Sequence, residues 1–450
     1  MSKRKIVIIG NGISGITCAR NIRKNDEQAD ILVISGETKY FYSRTALMYI
    51  YMGHMKFEHT KPYEDWFWEK NRIDLLQAWI ELVDFQQKKL ICHNGDTIHY
   101  DHLILATGSK PAILDWPGKQ LNGVQGLYSY QDLELMAEKT KGIKSAVVVG
   151  GGLIGIEMAE MLASRKIHVT FIVRESNFWD NVLPKEEAML INKHIREHGI
   201  DLRLSTELDE ILDDGKGNVK AIRTKNGDTV SCEFVGITIG VIPNIDFLRD
   251  TDLELGKGIL VDTYFRTNLA NVYAIGDCAE FRDSIGENRK KIEQVWYTGR
   301  MHGESLAHNL SSARVMPYQP GVWFNSAKFF DIEYQTYGNV PPQIEEDSET
   351  FYWEDKSGKV AIRFNYLKHS ECFQGVNAFG WRLRHEFFDR AISEKWTIDR
   401  VIGQLDKSSF NPEFYKPYHR LVLDAYNKTR GKAVKFRKTS FFHKLIGSRA

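Results

Sequence analysis

Ile6-Val7-Ile8-Ile9-Gly10-Asn11-Gly12-Ile13-Ser14-Gly15 joins four β-branched residues to three glycines spaced G-x-G-x-x-G. The apolar run reads as a buried parallel strand, and a helical stretch follows from Ile16 to about Lys24. Gly10 suits a tight turn, Gly12 lets backbone approach a pyrophosphate, and Gly15 lets helix pack on strand. The free N–H groups of the helix start then face the anion. A second strand, Ile31 to Ile34, ends at Ser35-Gly36-Glu37. Glu37 stands about 22 residues past Gly15, where an acid accepts from a ribose 2′-hydroxyl. The unit is βαβ, and its turn is expected to bind a dinucleotide.

The pattern recurs about 140 residues later, so two nucleotide-binding halves are expected. Ala146 to Val149 is a strand, Gly150-Gly151-Gly152-Leu153-Ile154-Gly155 the turn, Ile156 to Ser164 a helix, and Val169 to Val173 the next strand. Gly150, Gly152 and Gly155 repeat the three glycine roles. If that strand ends at Val173, the acid is missing and Arg174 follows as a cofactor-binding residue, an arrangement that tolerates a 2′-phosphate and leans to NADPH. A shift of one residue brings Glu175 into play and restores the acid. Between the units, Tyr100-Asp101 leads Leu103 to Ala106 into Thr107-Gly108. Strand-like runs at 217–224, 229–239 and 258–261 precede Val272-Tyr273-Ala274-Ile275-Gly276-Asp277, and a helix pattern runs from about Val295 to Asn309. From Pro317 the chain turns to short strands rich in Phe, Tyr and Trp, then two helical stretches.

A chain of 450 residues exceeds one core, so two or three domains are expected. A formal charge of +1 gives no reason to expect nucleic acid as a partner. Five cysteines, Cys18, Cys92, Cys232, Cys278 and Cys372, are an odd count with no CxxC, which argues against a disulfide scaffold. No apolar run reaches the length of a transmembrane helix, and the first strand starts straight after Met-Ser-Lys-Arg-Lys, so a cytoplasmic location is expected. The 14 histidines suggest no metal-ligand spacing, and no metal is expected.

Both glycine fingerprints, Tyr100 to Gly108, Gly236-Ile237-Thr238-Ile239-Gly240 and Val272 to Asp277 together resemble the FAD/NAD(P) pyridine nucleotide-disulfide oxidoreductase superfamily, over roughly residues 5 to 310. The resemblance implies an α/β chain with two Rossmann-like domains, the NAD(P) domain inserted in the FAD domain, and an α+β C-terminal interface domain. The FAD domain would take 1–115 and 250–315, the NAD(P) domain 116–249, the interface domain 316–425 and a basic tail 426–450. It also implies that Asp277 holds the ribityl chain of FAD, that Thr107 and Gly108 lie close to the flavin, and that Gly240 lines a cofactor site. The disulfide enzymes carry cysteine shortly after the second strand, but Tyr40 to Leu47 has none, so no redox disulfide is expected. Tyr42-x-Arg44-x-x-Leu47 is instead similar to ferredoxin- and rubredoxin-type reductases, with Arg44 on the cofactor side. Those relatives often pair a Lys with a Glu of the second glycine helix; Glu157 is present, and Tyr49 takes the Lys position. Trp296 falls where that group often has a tryptophan at the flavin face.

The activity this implies is FAD-dependent oxidation of NAD(P)H, with Glu157 and Trp296 near the reacting rings. A small electron-transfer protein is the first expectation for the acceptor. A membrane quinone comes second, and a redox-sensing binding protein resembling apoptosis-inducing factor third. The interface domain dimerises in disulfide reductases, which raises a homodimer as an expectation. After Asp424 no acid occurs, while Lys428, Arg430, Lys432, Lys435, Arg437, Lys438, Lys444 and Arg449 accumulate beside Phe441, Phe442, Leu445 and Ile446. Such an end suits anionic lipid, an acidic carrier, or packing on its own domain.

Overall fold

A computed structural model describes residues 4–410, 413 and 416–437. Two compact units emerge, one of Met1–Ser176 with Gly199–Pro320, the other of Asn177–His198 with Gly321–Ala450.

The first unit holds two parallel five-stranded sheets with one plan. In the first, Lys5–Ile9 lies between Asp30–Ser35 and His102–Leu105, with Ile73–Gln77 and Val272–Ala274 outermost. In the second, Ser145–Val149 lies between His168–Ile172 and Phe234–Ile237, with Asp201–Arg203 and Val124–Gln125 outermost. The central strands are buried on both faces, which is why they read as unbroken apolar runs rather than alternating ones. The run 229–239 is two strands. Thr229–Ser231 pairs antiparallel with Val219–Thr224, and Phe234–Ile237 joins the parallel sheet. The chain changes partner at Glu233, whose carboxylate accepts from the Lys144 and Ser145 N–H groups.

The helix Ile13–Asn25 that follows the first turn packs against Trp296–Ser311 through glycine. A Cβ on Gly303 would stand 2.4 Å from the Ser14 carbonyl oxygen, so only glycine allows this approach. That crossing sets the start of the later helix beside the first turn.

The second unit is an antiparallel sheet in the order Phe324–Phe329, Ile332–Gly338, Phe373–Phe379, Ala361–Leu367, Ser348–Glu354. His385–Ser393, Ile398–Ile402 and His419–Arg430 accompany it, three helices rather than two stretches. The helix Lys185–Glu197 belongs to this unit through a buried acid. Glu187 accepts from Arg363 Nε at 2.9 Å and from Asn377 Nδ2 at 2.7 Å, with both ionic side chains sealed from water. Of the basic tail, Arg430 is paired with Glu349, and Lys432 with Glu371 and Asp399, so these cations are engaged within the unit. Lys438, Phe441, Phe442, Lys444, Leu445, Ile446 and Arg449 lie outside the described residues.

Burial pushes the Glu187 carboxyl up to about 7 even with Arg363 and Asn377 pulling it down. Removing the guanidinium leaves that acid sealed without its counter-charge. Arg363→Met should lower stability by about 3–5 kcal/mol in denaturant titration. Combining it with Glu187→Leu should restore most of the loss. Additive losses in the double variant would contradict this account.

Candidate functional site

The two glycine turns are built alike. Gly10 has φ +114° and Gly150 φ +120°, and a Cβ there would stand 2.0 Å from the Ala106 carbonyl oxygen or 2.5 Å from that of Thr238. On Gly15 and Gly155 a Cβ would stand 2.0 and 2.2 Å from the carbonyl oxygens of Gly10 and Gly150. Gly12 and Gly152 differ from these. Both are extended, at φ −68° and −111°, and a Cβ on either meets nothing within 4 Å. Neither strain nor packing requires glycine there. The space they leave open lies at the N-termini of Ile13–Asn25 and Leu153–Ser164, neither of which has an acid in its first turn. A pyrophosphate fits both cradles.

Glu37, past the end of the second strand, is held by two other segments. Its Oε1 accepts from the Tyr42 hydroxyl, from Arg44 Nη1 at 2.9 Å and from the Tyr130 N–H at 2.7 Å. Its Oε2 accepts from Arg44 Nη2 at 2.6 Å, its one partner among the described residues, which leaves capacity for a ribose hydroxyl. Burial alone would raise this carboxyl, but the Arg44 guanidinium outweighs it, and Glu37 stays below the usual carboxylate value. Arg44 also donates to the Tyr128 carbonyl at 2.6 Å.

The far end of the cradle centres on Asp277. Gly276, at φ +77°, packs where a Cβ would stand 2.3 Å from Ser14 Oγ, and its N–H donates to His302 Nδ1 at 3.1 Å. Burial drives His302 down to about 3, so the ring is neutral and serves as an acceptor. Asp277 accepts from Ser109 Oγ at 3.0 Å and from the Tyr128 hydroxyl at 3.4 Å, while Gln294 Nε2 donates to Ser109 Oγ at 2.8 Å. Burial raises the Asp277 carboxyl, with the Ser109 bond, Arg44 and Tyr128 working against it. Tyr128 thus connects both ends of the site, its carbonyl on Arg44 and its hydroxyl on Asp277. Sequence reasoning missed Ser109, Tyr128, Gln294 and His302. Thr107 donates to the Asn244 carbonyl at 2.8 Å, and Gly108 and Gly240 both take positive φ after equivalent strands.

Residues 4–303 match the family model described as pyridine nucleotide-disulphide oxidoreductase. The chain belongs to this family. It is 32% identical over 341 residues to the NADH oxidase of Methanocaldococcus jannaschii, covering 73% of this chain and 75% of that protein. It is 28% identical to the rubredoxin-NAD(+) reductase of Pseudomonas putida, over 64% of this chain and 76% of the relative. It is 27% identical to the assimilatory nitrate reductase electron transfer subunit of Bacillus subtilis, over 93% of this chain. The chain spans only about half, 52%, of that protein's length. Among solved structures, the ferredoxin reductase for the CYP199A2 system from Rhodopseudomonas palustris has a TM-score of 0.76 at 23% identity, covering 84% of this chain and 91% of that one, which bears out the fold.

Within this FAD- and NAD(P)H-dependent family, the second cradle carries its own acid. The strand after the second turn ends at Ile172, one residue before the Val173 end read from sequence. Gly150 N–H donates to the Ile172 carbonyl as Gly10 N–H donates to that of Ile34, and three residues beyond these carbonyls stand Glu175 and Glu37. Glu175 is the counterpart of Glu37. Arg174, 70% exposed, lies on it with Nη2 2.7 Å from Oε1. On the adjoining helix, Glu157 makes no hydrogen bond or ion pair among the described residues, and burial, with Glu160 adding, raises it to about 7. The helix Leu47–Tyr51, which carries Tyr49 in place of the lysine, packs against that helix. Trp296 is half-buried at the first residue of its helix, two residues after Gln294.

Gly12→Val should fold, because its Cβ meets no protein atom, yet purify with little FAD by absorbance. Full flavin occupancy would remove this turn from the site. For Glu157, the folded chain holds a proton that the unfolded chain releases above about pH 4.5. Its contribution to stability is therefore complete below that value and lost as pH rises to about 7. Melting temperatures of wild type and Glu157→Gln should agree near pH 4 and diverge above pH 7, the variant being higher; parallel pH profiles would refute the assignment.

Proposed function

We propose that this chain accepts reducing equivalents from NAD(P)H and passes them to a small electron-transfer protein of the ferredoxin or rubredoxin type. Gly10, Gly12, Gly15, Glu37, Arg44, Thr107, Gly108 and Asp277 would hold FAD, and Gly150, Gly152, Gly155, Glu175 and Gly240 the nicotinamide nucleotide. The carrying observation is the duplicated turn with its two open, unstrained glycines, Gly12 and Gly152. Flavin and nicotinamide supply the hydride chemistry when bound. The residues supply placement: helix starts take the phosphates, Glu37 and Asp277 fix the two ends of FAD, and Glu157 offers a carboxyl poised near neutrality. Trp296 would form part of the face that meets the carrier.

A route without thiols is supported by the cysteines. All five are free, and burial pushes the thiols of Cys18, Cys92, Cys232 and Cys278 upward, away from the reactive thiolate. Cys278 Sγ lies 3.4 Å from the carbonyls of Leu105 and Ile275, a packing role. The protein carrier is favoured by the Tyr42-Arg44-Leu47 stretch and by the rubredoxin reductase likeness. No described helix is long and apolar enough to cross a membrane. Cytoplasmic location, a homodimer through the 316–425 domain and a docking role for Lys435 and Arg437, both exposed, complete the proposal.

For the nucleotide, the strand register favours NADH, since Glu175 can accept from a 2′-hydroxyl and repels a 2′-phosphate. Arg174 would bind that phosphate only when freed from Glu175. One stopped-flow series tests both parts. NADH should reduce the flavin faster than NADPH, and Glu175→Ala should shift that ratio toward NADPH by about tenfold or more, roughly 1.4 kcal/mol. Ferredoxin or rubredoxin should then reoxidise it faster than quinone or oxygen. Faster reoxidation by quinone would move the function to quinone reduction. Indifference to every acceptor would favour a redox sensor.

A further inference from the structure

We propose a divalent transition-metal site in the second unit, of the zinc class, formed by His194, His198 and Asp331. The two histidines are four residues apart at the end of the helix Lys185–Glu197, so both rings project from one face. Asp331 sits in the tight turn between Phe324–Phe329 and Ile332–Gly338. His194 Nε2 lies 2.6 Å and His198 Nε2 3.7 Å from Asp331 Oδ1, and the three donor atoms fall within 4.8 Å of one another. A tetrahedral ion with bonds of about 2.1 Å sets its ligands about 3.4 Å apart, within that spread.

Three features suit a bound cation. The His194 ring is 1% exposed, and beyond the ion-pair approach of Nε2 to Asp331 Oδ1 neither of its nitrogens has a hydrogen-bond partner among the described residues. His198 Nδ1 lies 2.9 Å from the His194 carbonyl, a contact that places the proton on Nδ1 and turns the Nε2 lone pair to the cluster. Phe330 holds a left-handed φ of +54° while its ring stacks on His198 at 4.2 Å. That conformation is uncommon for a bulky residue, and it delivers the Asp331 carboxylate to the imidazoles. Lys359 Nζ takes Oδ2 at 2.7 Å, leaving Oδ1 for the cation. Two neutral imidazoles and one carboxylate suit Zn²⁺, with water as a fourth ligand. His198 and Asp331 are partly exposed, which provides the entry path.

The test uses the full flavin-loaded chain, stripped with a chelator and titrated with Zn²⁺ against a chromogenic chelator. Wild type should bind one Zn²⁺ per chain, Co²⁺ should give tetrahedral visible bands, and Zn²⁺ should raise the melting temperature. His198→Ala and Asp331→Asn should each weaken binding by about tenfold or more and abolish the thermal shift, with flavin content unchanged. Asp331→Asn alters an exposed side chain, so it serves as the test if His198→Ala does not fold. No binding by wild type, or equal binding by both variants, would overturn the proposal and leave an ion pair or an adventitious ion only.

Discussion

Backbone meets backbone at Gly10 and again at Gly150, and the first unit depends on those two approaches. Each chain leaves its central strand at a positive φ, and a carbonyl of the neighbouring strand's exit, Ala106 or Thr238, occupies the space a side chain would need. Because that contact fixes where the strand ends, it also fixes where the helix begins, and hence where unpaired N–H groups converge. The second contact, Gly15 or Gly155 on the carbonyl of Gly10 or Gly150, seats the helix on the strand. Packing therefore uses the first and third glycines completely and leaves the middle one idle. An idle glycine in an unstrained conformation, found twice, is hard to explain by folding alone.

The two cradles, the central strands of both sheets and the crossing helix are legible because their signals are local: apolar runs, fixed glycine spacing, a turn. The edge strands Ile73–Gln77, Asp201–Arg203 and Val124–Gln125 are not. Neither are the polar residues that converge on Asp277. Ser109 and Tyr128 lie 168 and 149 residues away in sequence, and nothing in their neighbourhoods distinguishes them from any serine or tyrosine. The same holds for Arg363 and Glu187, 176 residues apart. The end of the second nucleotide strand was misread by one residue because Val173 is as apolar as Ile172. Only pairing with Val149 shows where the ladder stops. The run 229–239 was misread for a related reason, since a change of pairing partner leaves no mark on hydrophobicity. His194 and His198 stand four residues apart, a spacing passed over among the 14 histidines because Asp331, the third member of the proposed cluster, arrives from a distant turn.

Burial pushes the site's carboxyls the same way, upward, and what surrounds each decides the outcome. Glu37 and Glu157 are both half-buried. Glu37 has a bidentate guanidinium and two further donors, so it stays ionised and fixed. Glu157 has no such partner and a second acid beside it, so its proton is held to near neutrality. One acid is thus held ionised and the other titrates near neutrality.

That difference extends to what each half can do with its ligand. In the first cradle the ribose-side acid is locked by Arg44 and Tyr42 from one segment and Tyr130 from another, and Tyr128 joins this lock to Asp277 at the far end. The acids at the two ends of this cradle are thus tied together through residues from four separate stretches of chain. In the second cradle the equivalent acid, Glu175, has its exposed neighbour Arg174 as its side-chain partner among the described residues. Surface pairs of that kind are worth at most about 1 kcal/mol and open readily. The same βαβ unit, used twice, therefore carries an acid held by several segments in the first cradle and an acid paired with an exposed arginine in the second. That is the difference expected if the first holds a resident cofactor and the second an exchanging nucleotide, as proposed.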